Sequence, residues 1–251
     1  MIFSVIIPCY NAELTVVRAL KSVINQSYKD FEIVIVDDGS KDNTKDCIKE
    51  YLENKNIEYK YIYQENKGPS SARNNAVKNS NGKYLAFLDS DDEWHLDKLK
   101  IQYESILNLN TKFLSCNYQM GVFKNIDIEG IKKYTFNDFL ISNRTSTPCT
   151  VIEKKLFEEV GGFDETMIYS EDYNLWLKVI LVEPLYKISQ PLVLLHKKPY
   201  GDAGLSSNLW KMEKGELYNY KLFFNNKKIN FMRFIFVSTL SLLKFIKRLV
   251  V

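Results

Sequence analysis

Three carboxylates, Asp89, Asp91 and Asp92, crowd into four positions directly after the apolar run Tyr84-Leu-Ala-Phe-Leu88. Like charges this close repel unless a cation or strong donors compensate them. The i, i+2 spacing aims Asp89 and Asp91 at a shared hard cation, and Mg²⁺ or Mn²⁺ takes one or two carboxylates plus phosphate oxygens. A solvated acidic turn that caps a helix from Leu96 would use the same residues. A second acidic segment, Val36-Asp37-Asp38-Gly39-Ser40, can accept hydrogen bonds from a uracil N3–H or a ribose hydroxyl, although Asp, Gly and Ser also favour turns for local reasons. In a third, Ser170-Glu171-Asp172-Tyr173, Leu175, Trp176 and Val179 follow at helical spacing. Ser170 then reads as an N-cap, with Glu171 and Asp172 as first-turn acids.

The elements that must position these acids show a regular rhythm. β-rich segments begin at Phe3, Phe31, Ile57 and Tyr84, spaced 28, 26 and 27 residues apart. Helical patterns lie between them: Leu14, Val17, Leu20 and Ile24 on one face, Ile48, Tyr51 and Leu52 after a cap at Asp42, then Ala72, Ala76 and Val77. Such repeats predict an α/β fold with a mostly parallel central sheet flanked by helices, and ligands at the carboxyl ends of its strands. Later, Phe113 to Tyr118, Thr150 to Ile152 and Leu192 to Leu195 read as strands, and Glu171 to Val182 as a helix. The turn Pro8-Cys9-Tyr10-Asn11 lacks Gly-x-Gly-x-x-Gly, and no Gly-x-x-x-x-Gly-Lys-Ser/Thr occurs, which disfavours a dehydrogenase and a P-loop ATPase.

With 251 residues, 45% apolar and 26% charged, and only 10 Gly and 6 Pro, the chain is neither collagenous, disordered nor a disulfide miniprotein. Four cysteines far apart, without C-x-x-C, disfavour a zinc knuckle and suit a reducing compartment. Glu216 is the last acid: residues 217–251 hold seven cations, and the remainder is net negative. That tail is also rich in Phe, Leu and Ile. Its longest uncharged run, Phe234 to Leu243, is far short of the roughly 18–20 residues that span a bilayer, so it predicts a basic amphipathic helix lying on a membrane. Packing on the catalytic domain, or on a second copy as a homodimer, is the alternative. The apolar start, cut by Pro8, does not read as a signal peptide, so the expected location is cytoplasmic. The Asn-x-Ser/Thr matches at Asn25 and Asn143 are then chance tripeptides.

Several segments, in order, resemble the successive motifs of family-2 glycosyltransferases with the GT-A fold. They are Ser4-Val-Ile-Ile-Pro8-Cys-Tyr10-Asn11, Val36-Asp-Asp38-Gly-Ser-Lys-Asp42, Gln64-Glu-Asn66-Lys-Gly68-Pro-Ser-Ser-Ala72-Arg73-Asn74 and Leu88-Asp89-Ser-Asp91-Asp92, then Gly161-Gly162-Phe163-Asp164 and Glu171-Asp172. The resemblance implies a catalytic domain over 1–216, with a nucleotide-sugar-binding half at 1–110 and an acceptor half at 111–216, followed by the helical tail 217–251. It implies a nucleotide-sugar donor, most often UDP-linked, bordered by Pro8, Tyr10 and Asp38. Asn66 and Arg73 would help to hold that donor, and Asp89 would contact its ribose or diphosphate. Asp91 would bind Mn²⁺ or Mg²⁺, Asp172 would be the general base, and Gly161 to Glu165 would form a loop near the acceptor.

The chain departs from the family pattern in two places. Ala76 stands where the family often has Gly, and around Leu194-Leu195-His196-Lys197-Lys198 the family's Tyr-Arg-x-His becomes a segment with His196 at the Arg position and Lys198 at the His. His196 is a candidate metal or diphosphate ligand, and Lys197 or Lys198 a candidate diphosphate clamp. The implied activity is inverting, metal-dependent hexosyl or N-acetylhexosaminyl transfer to a glycan or lipid-linked acceptor in bacterial surface polysaccharide synthesis, on the inner face of the cell membrane. No nucleic acid partner is implied. A nucleotidyltransferase, or a non-catalytic nucleotide-sugar-binding scaffold, would share much of this sequence pattern.

Overall fold

The structure, a computed structural model, describes residues 1–123, 130–197 and 207–250. The first half alternates strand and helix: β1 (Phe3–Cys9), α1 (Val16–Ile24), β2 (Phe31–Asp37), α2 (Thr44–Leu52), β3 (Tyr59–Tyr63), α3 (Pro69–Lys78) and β4 (Tyr84–Phe87). β2 and β4 pair with β1 on either side, and β3 pairs with β2, all parallel. The chain therefore reverses its direction of growth across the sheet at β1, where the carboxyl ends of β1 and β4 open a crevice.

Period-2 alternation sorts the side chains. In β1, Phe3, Val5, Ile7 and Cys9 face one core with Val16, Leu20 and Val23 of α1 and Ile48 and Leu52 of α2, while Ile6 faces the other with Ala72 and Ala76 of α3. Both faces are buried, so these strands read as continuous apolar runs. The α1 face differs from the sequence expectation. Leu14 precedes the helix and is 89% exposed, and Val16, Ala19, Leu20 and Val23 form the buried stripe.

The second half holds β5 (Glu93–Trp94), α4 (Lys98–Leu109), β6 (Phe113–Met120), β7 (Ile131–Tyr134), α5 (Phe136–Ile141), a 3₁₀ turn at Thr147–Cys149, β8 (Val151–Glu153), α6 (Lys154–Glu159), α7 (Glu171–Ile180) and β9 (Leu185–Leu195). The mostly parallel sheet of the first half continues here as a mixed one. β8 is antiparallel to β4 and β6, and β5 and β7 are antiparallel to β9; only β6 and β9 run parallel. Apolar periodicity reports which face a residue occupies, not strand direction. The acidic turn does not cap α4 either, because Asp97 holds that position.

The tail is two helices, α8 (Leu209–Asn225) and α9 (Phe231–Val250), so residue 216 lies inside α8. Helix α9 docks through Val237 and Ser241, both buried, with Ser241 donating to Glu213 of α8 at 2.7 Å. Arg248 lies 3.7 Å from both Glu213 and Glu216. Phe234 stacks on Phe224, and Phe245 meets Trp210. The opposite face leaves Phe231, Met232, Ile235, Phe236, Leu242, Leu243, Ile246 and Leu249 exposed. Phe234 and Phe245 thus belong to the docked side.

Candidate active site

The cleft at the strand ends has a volume of about 1740 Å³ and is lined by Pro8, Tyr10, Asp38, Asn66, Arg73, Asp89, Asp91 and Asp172. Eight residues singled out in the sequence thus meet in one hollow, and Lys197, a candidate clamp, lines it as well. It exceeds the roughly 300–1,000 Å³ of a single small-molecule site, leaving room for two ligands side by side. His196 is absent from this wall. Its Nε2 lies 2.6 Å from Glu93 Oε1, and Glu93 is also paired with Arg18 at 3.3 Å. Lys198 falls outside the described residues.

The floor is built by loops that satisfy one another. Asp38 is 4% exposed, and its carboxylate accepts from Gln64 Nε2 (2.7 Å), Lys67 N (2.9 Å) and Gly68 N (2.8 Å). It therefore holds the loop that carries Asn66. Gly39 has φ +78°, and a Cβ there would lie 2.9 Å from Asn66 N, so both conformation and space demand glycine. Tyr10, half-exposed at the end of β1, offers a flat face to the cleft. Asn74 clamps the glycine loop, donating to Phe163 O at 2.9 Å and accepting from Phe163 N at 3.1 Å.

The acids after β4 are neutralised in three different ways. Asp89 pairs with Arg73 at 2.8 Å, and Asp91 with Lys197 Nζ at 2.8 Å. Asp92 is 6% exposed; burial, with the charges of Asp89 and Asp91, pushes it up to about 9, so it keeps its proton at neutral pH. Arg73 reaches further: its guanidinium lies 3.3 Å from Glu171 and over the Phe163 ring at 5.3 Å. Arg73 is 7% exposed and bridges the acidic turn to the start of α7.

Helix α7 places the last two acids at the cleft wall. Ser170 precedes it with φ +57° and makes no side-chain cap; its hydroxyl donates instead to Met212 O at 3.1 Å. Asp172 accepts from Tyr173 N at 2.7 Å and from Asn143 Nδ2 at 3.4 Å. Burial pushes its carboxyl above the ordinary range, while the Tyr173 N–H and Arg73 pull it back. Glu171 is pushed up to about 7 by burial and by Asp172, against the pull of Arg73. Asn143 was invisible in the sequence except as a glycosylation-like tripeptide, and Arg18 and Glu93 gave no signal.

Asp89 and Asp91 offer hard oxygen donors at an open cleft, which suits a divalent cation completed by phosphate oxygens. Among the described residues no three His, Cys, Asp or Glu side chains converge into a preformed metal cage.

A GT-A-type sheet with an acidic turn at its switch point and a carboxylate-bearing helix across the cleft defines the class. The family description "Glycosyl transferase family 2" matches residues 4–160, and the chain belongs to that family. It is a glycosyltransferase, which sets aside the nucleotidyltransferase and scaffold alternatives. The chain is 32% identical over 213 residues to the Escherichia coli UDP-Glc:alpha-D-GlcNAc-diphosphoundecaprenol beta-1,3-glucosyltransferase WfgD, covering 83% of this chain and 81% of that one. It is 30% identical to the putative teichuronic acid biosynthesis glycosyltransferase TuaG of Bacillus subtilis, covering 92% and 90%. Among solved structures, S. aureus TarS 1-349 in complex with UDP-GlcNAc superposes with a TM-score of 0.74 at 25% identity, covering 90% of this chain and 67% of that one.

Proposed function

We propose that the protein transfers a sugar, with inversion, from a UDP-linked donor to a hydroxyl of a glycan or lipid-linked acceptor in surface polysaccharide synthesis. The names of WfgD and TuaG and the UDP-GlcNAc complex of TarS support this choice of donor and acceptor. The observation that carries the mechanism is the placement of Asp172: a half-buried carboxylate on the cleft wall, linked to the acidic turn through Glu171, Arg73 and Asp89.

Tyr10 and Pro8 form a surface for the base, and Asn66 and the Asp38-held loop border the nucleoside. Asp172 accepts the proton of the acceptor hydroxyl as that oxygen attacks the anomeric carbon. The bond from that carbon to the diphosphate breaks on the opposite face, so one displacement inverts the configuration. Burial raises the Asp172 carboxyl above its ordinary range, which makes it a stronger base than a free aspartate. Asp91, with Asp89 beside it, would hold Mn²⁺ or Mg²⁺, which when bound neutralises charge on the leaving diphosphate.

Asp172→Asn preserves shape but cannot take a proton. Transfer should fall by roughly 10²- to 10⁴-fold while UDP affinity stays near that of the wild type. Glu171→Gln should cost much less, and a reversed order would assign the base to Glu171.

The free face of α9 supports attachment to an anionic membrane surface, where a lipid-linked acceptor would lie. No helix among the described residues is long and apolar enough to cross a bilayer. At the turn between α8 and α9, a hollow of about 680 Å³ is lined by Lys227, Lys228 and Arg233. Apolar area and cations together favour the interface. The protein should float with anionic liposomes, less so at high salt, and Phe236→Glu with Leu243→Glu should abolish flotation; undiminished flotation of that variant would reject α9 as the contact.

A further inference from the structure

The ion pair between Lys197 and Asp91 has a consequence for how the site fills. Lys197 directly follows His196 at the end of β9, and the antiparallel pairing of Glu93 with Leu194 brings this segment beside the turn after β4. The Nζ stands 2.8 Å from Asp91 Oδ2. A divalent cation bound to that oxygen would compete with the ammonium for the same carboxylate lone pairs. The two cations would also repel. The side chain of Lys197 is 49% exposed and lines the same cleft, so its flexible four-carbon stem can swing without disturbing the core.

Resting on the donor reading above, we propose that Lys197 competes with the divalent cation for Asp91 and passes to the donor's diphosphate when the cation binds. An ammonium is a good point-charge partner for phosphate oxygens. The acidic turn is thus screened while the cleft is empty, and the metal binds Asp91 most readily when a diphosphate is present to receive Lys197. Metal and donor then raise each other's affinity, since coupling between two ligands is reciprocal.

Mn²⁺ binding, measured by electron paramagnetic resonance with and without UDP, tests this on the wild type, Lys197→Gln and the remote charge control Lys45→Gln. Lys197→Gln should bind Mn²⁺ alone about fivefold more tightly than the wild type, the size expected for loss of a half-exposed ion pair. UDP should enhance Mn²⁺ binding several-fold less in Lys197→Gln than in the wild type. Lys45→Gln should match the wild type in both measurements. Equal Mn²⁺ affinity and equal UDP enhancement in wild type and Lys197→Gln would overturn the competition while leaving the donor site standing. Absence of UDP binding from every protein would overturn the donor reading, and this inference with it.

Discussion

Replacing Arg73 with Met removes the cation that joins the acidic turn to α7 while keeping an unbranched side chain of similar length. In the wild type the guanidinium is 8% exposed and contacts Asp89, 30% exposed, and Glu171, 12% exposed. Removing one partner of a buried pair costs roughly 3–5 kcal/mol, because the other charge is left uncompensated. Two effects place this case at the lower end: water relieves Asp89 in part, and Glu171 can escape by taking a proton. About 3 kcal/mol at pH 8 is the expected loss, or roughly 6–12 °C in Tm for a domain of this size.

The pH dependence gives a sharper signature. Glu171 titrates at about 7 in the folded protein against 4.5 ordinarily, so the folded state holds a proton that the unfolded chain has released, and stability falls as pH rises through that window. Without Arg73 the folded pKa climbs further and the window extends above 7. The deficit of Arg73→Met should therefore be larger at pH 8 than at pH 6. Urea unfolding followed by tryptophan fluorescence at both pH values measures it. A deficit below about 1 kcal/mol, unchanged between the two, would refute the bridging role of Arg73.

Lys98 is fully buried, 2.6 Å from Gln102 Oε1 and 4.0 Å over the Trp94 ring, and burial lowers it to about 8 from 10.5. The unfolded chain keeps its proton longer, so wild-type stability should rise between about pH 8 and 10.5. Lys98→Met should lack that rise; parallel Tm curves for the two proteins would contradict it. A Cβ at Gly82 would fall 2.4 Å from Ser4 N and 2.5 Å from Phe3 C, both backbone atoms of β1. Gly82→Ala should lower stability by about 1–3 kcal/mol, and an unchanged melting temperature would show that β1 yields without strain.

The spacing of apolar runs made β1 to β4 and their helices legible, because each strand is buried on both faces and each helix between them shows a stripe. Leu14 misled because an apolar residue just before a helix matches the period equally well. Six ordered motifs brought eight site residues to one cleft, yet the sequence could not show what each carboxylate was already bonded to. Asp38 is occupied by its own loop, Asp91 by a lysine more than 100 residues away, and Asp172 by Asn143. Such pairings arise only when distant strand ends meet. In α9 apolar residues surround the axis, so periodicity alone could not separate the docked face from the free one; buried Glu213 and half-buried Glu216, which draw Arg248 and the Ser241 side inward, made that choice.

The stereochemistry of transfer tests the central claim most directly. The protein should be incubated with α-linked UDP-sugars, Mn²⁺ and a panel of glycan and lipid-linked acceptors, and the new glycosidic linkage read by proton NMR. A β-linked product from the α-linked donor, made by the wild type and nearly lost in Asp172→Asn, is the predicted result. An α-linked product, or undiminished transfer by Asp172→Asn, would contradict single displacement with Asp172 as the base.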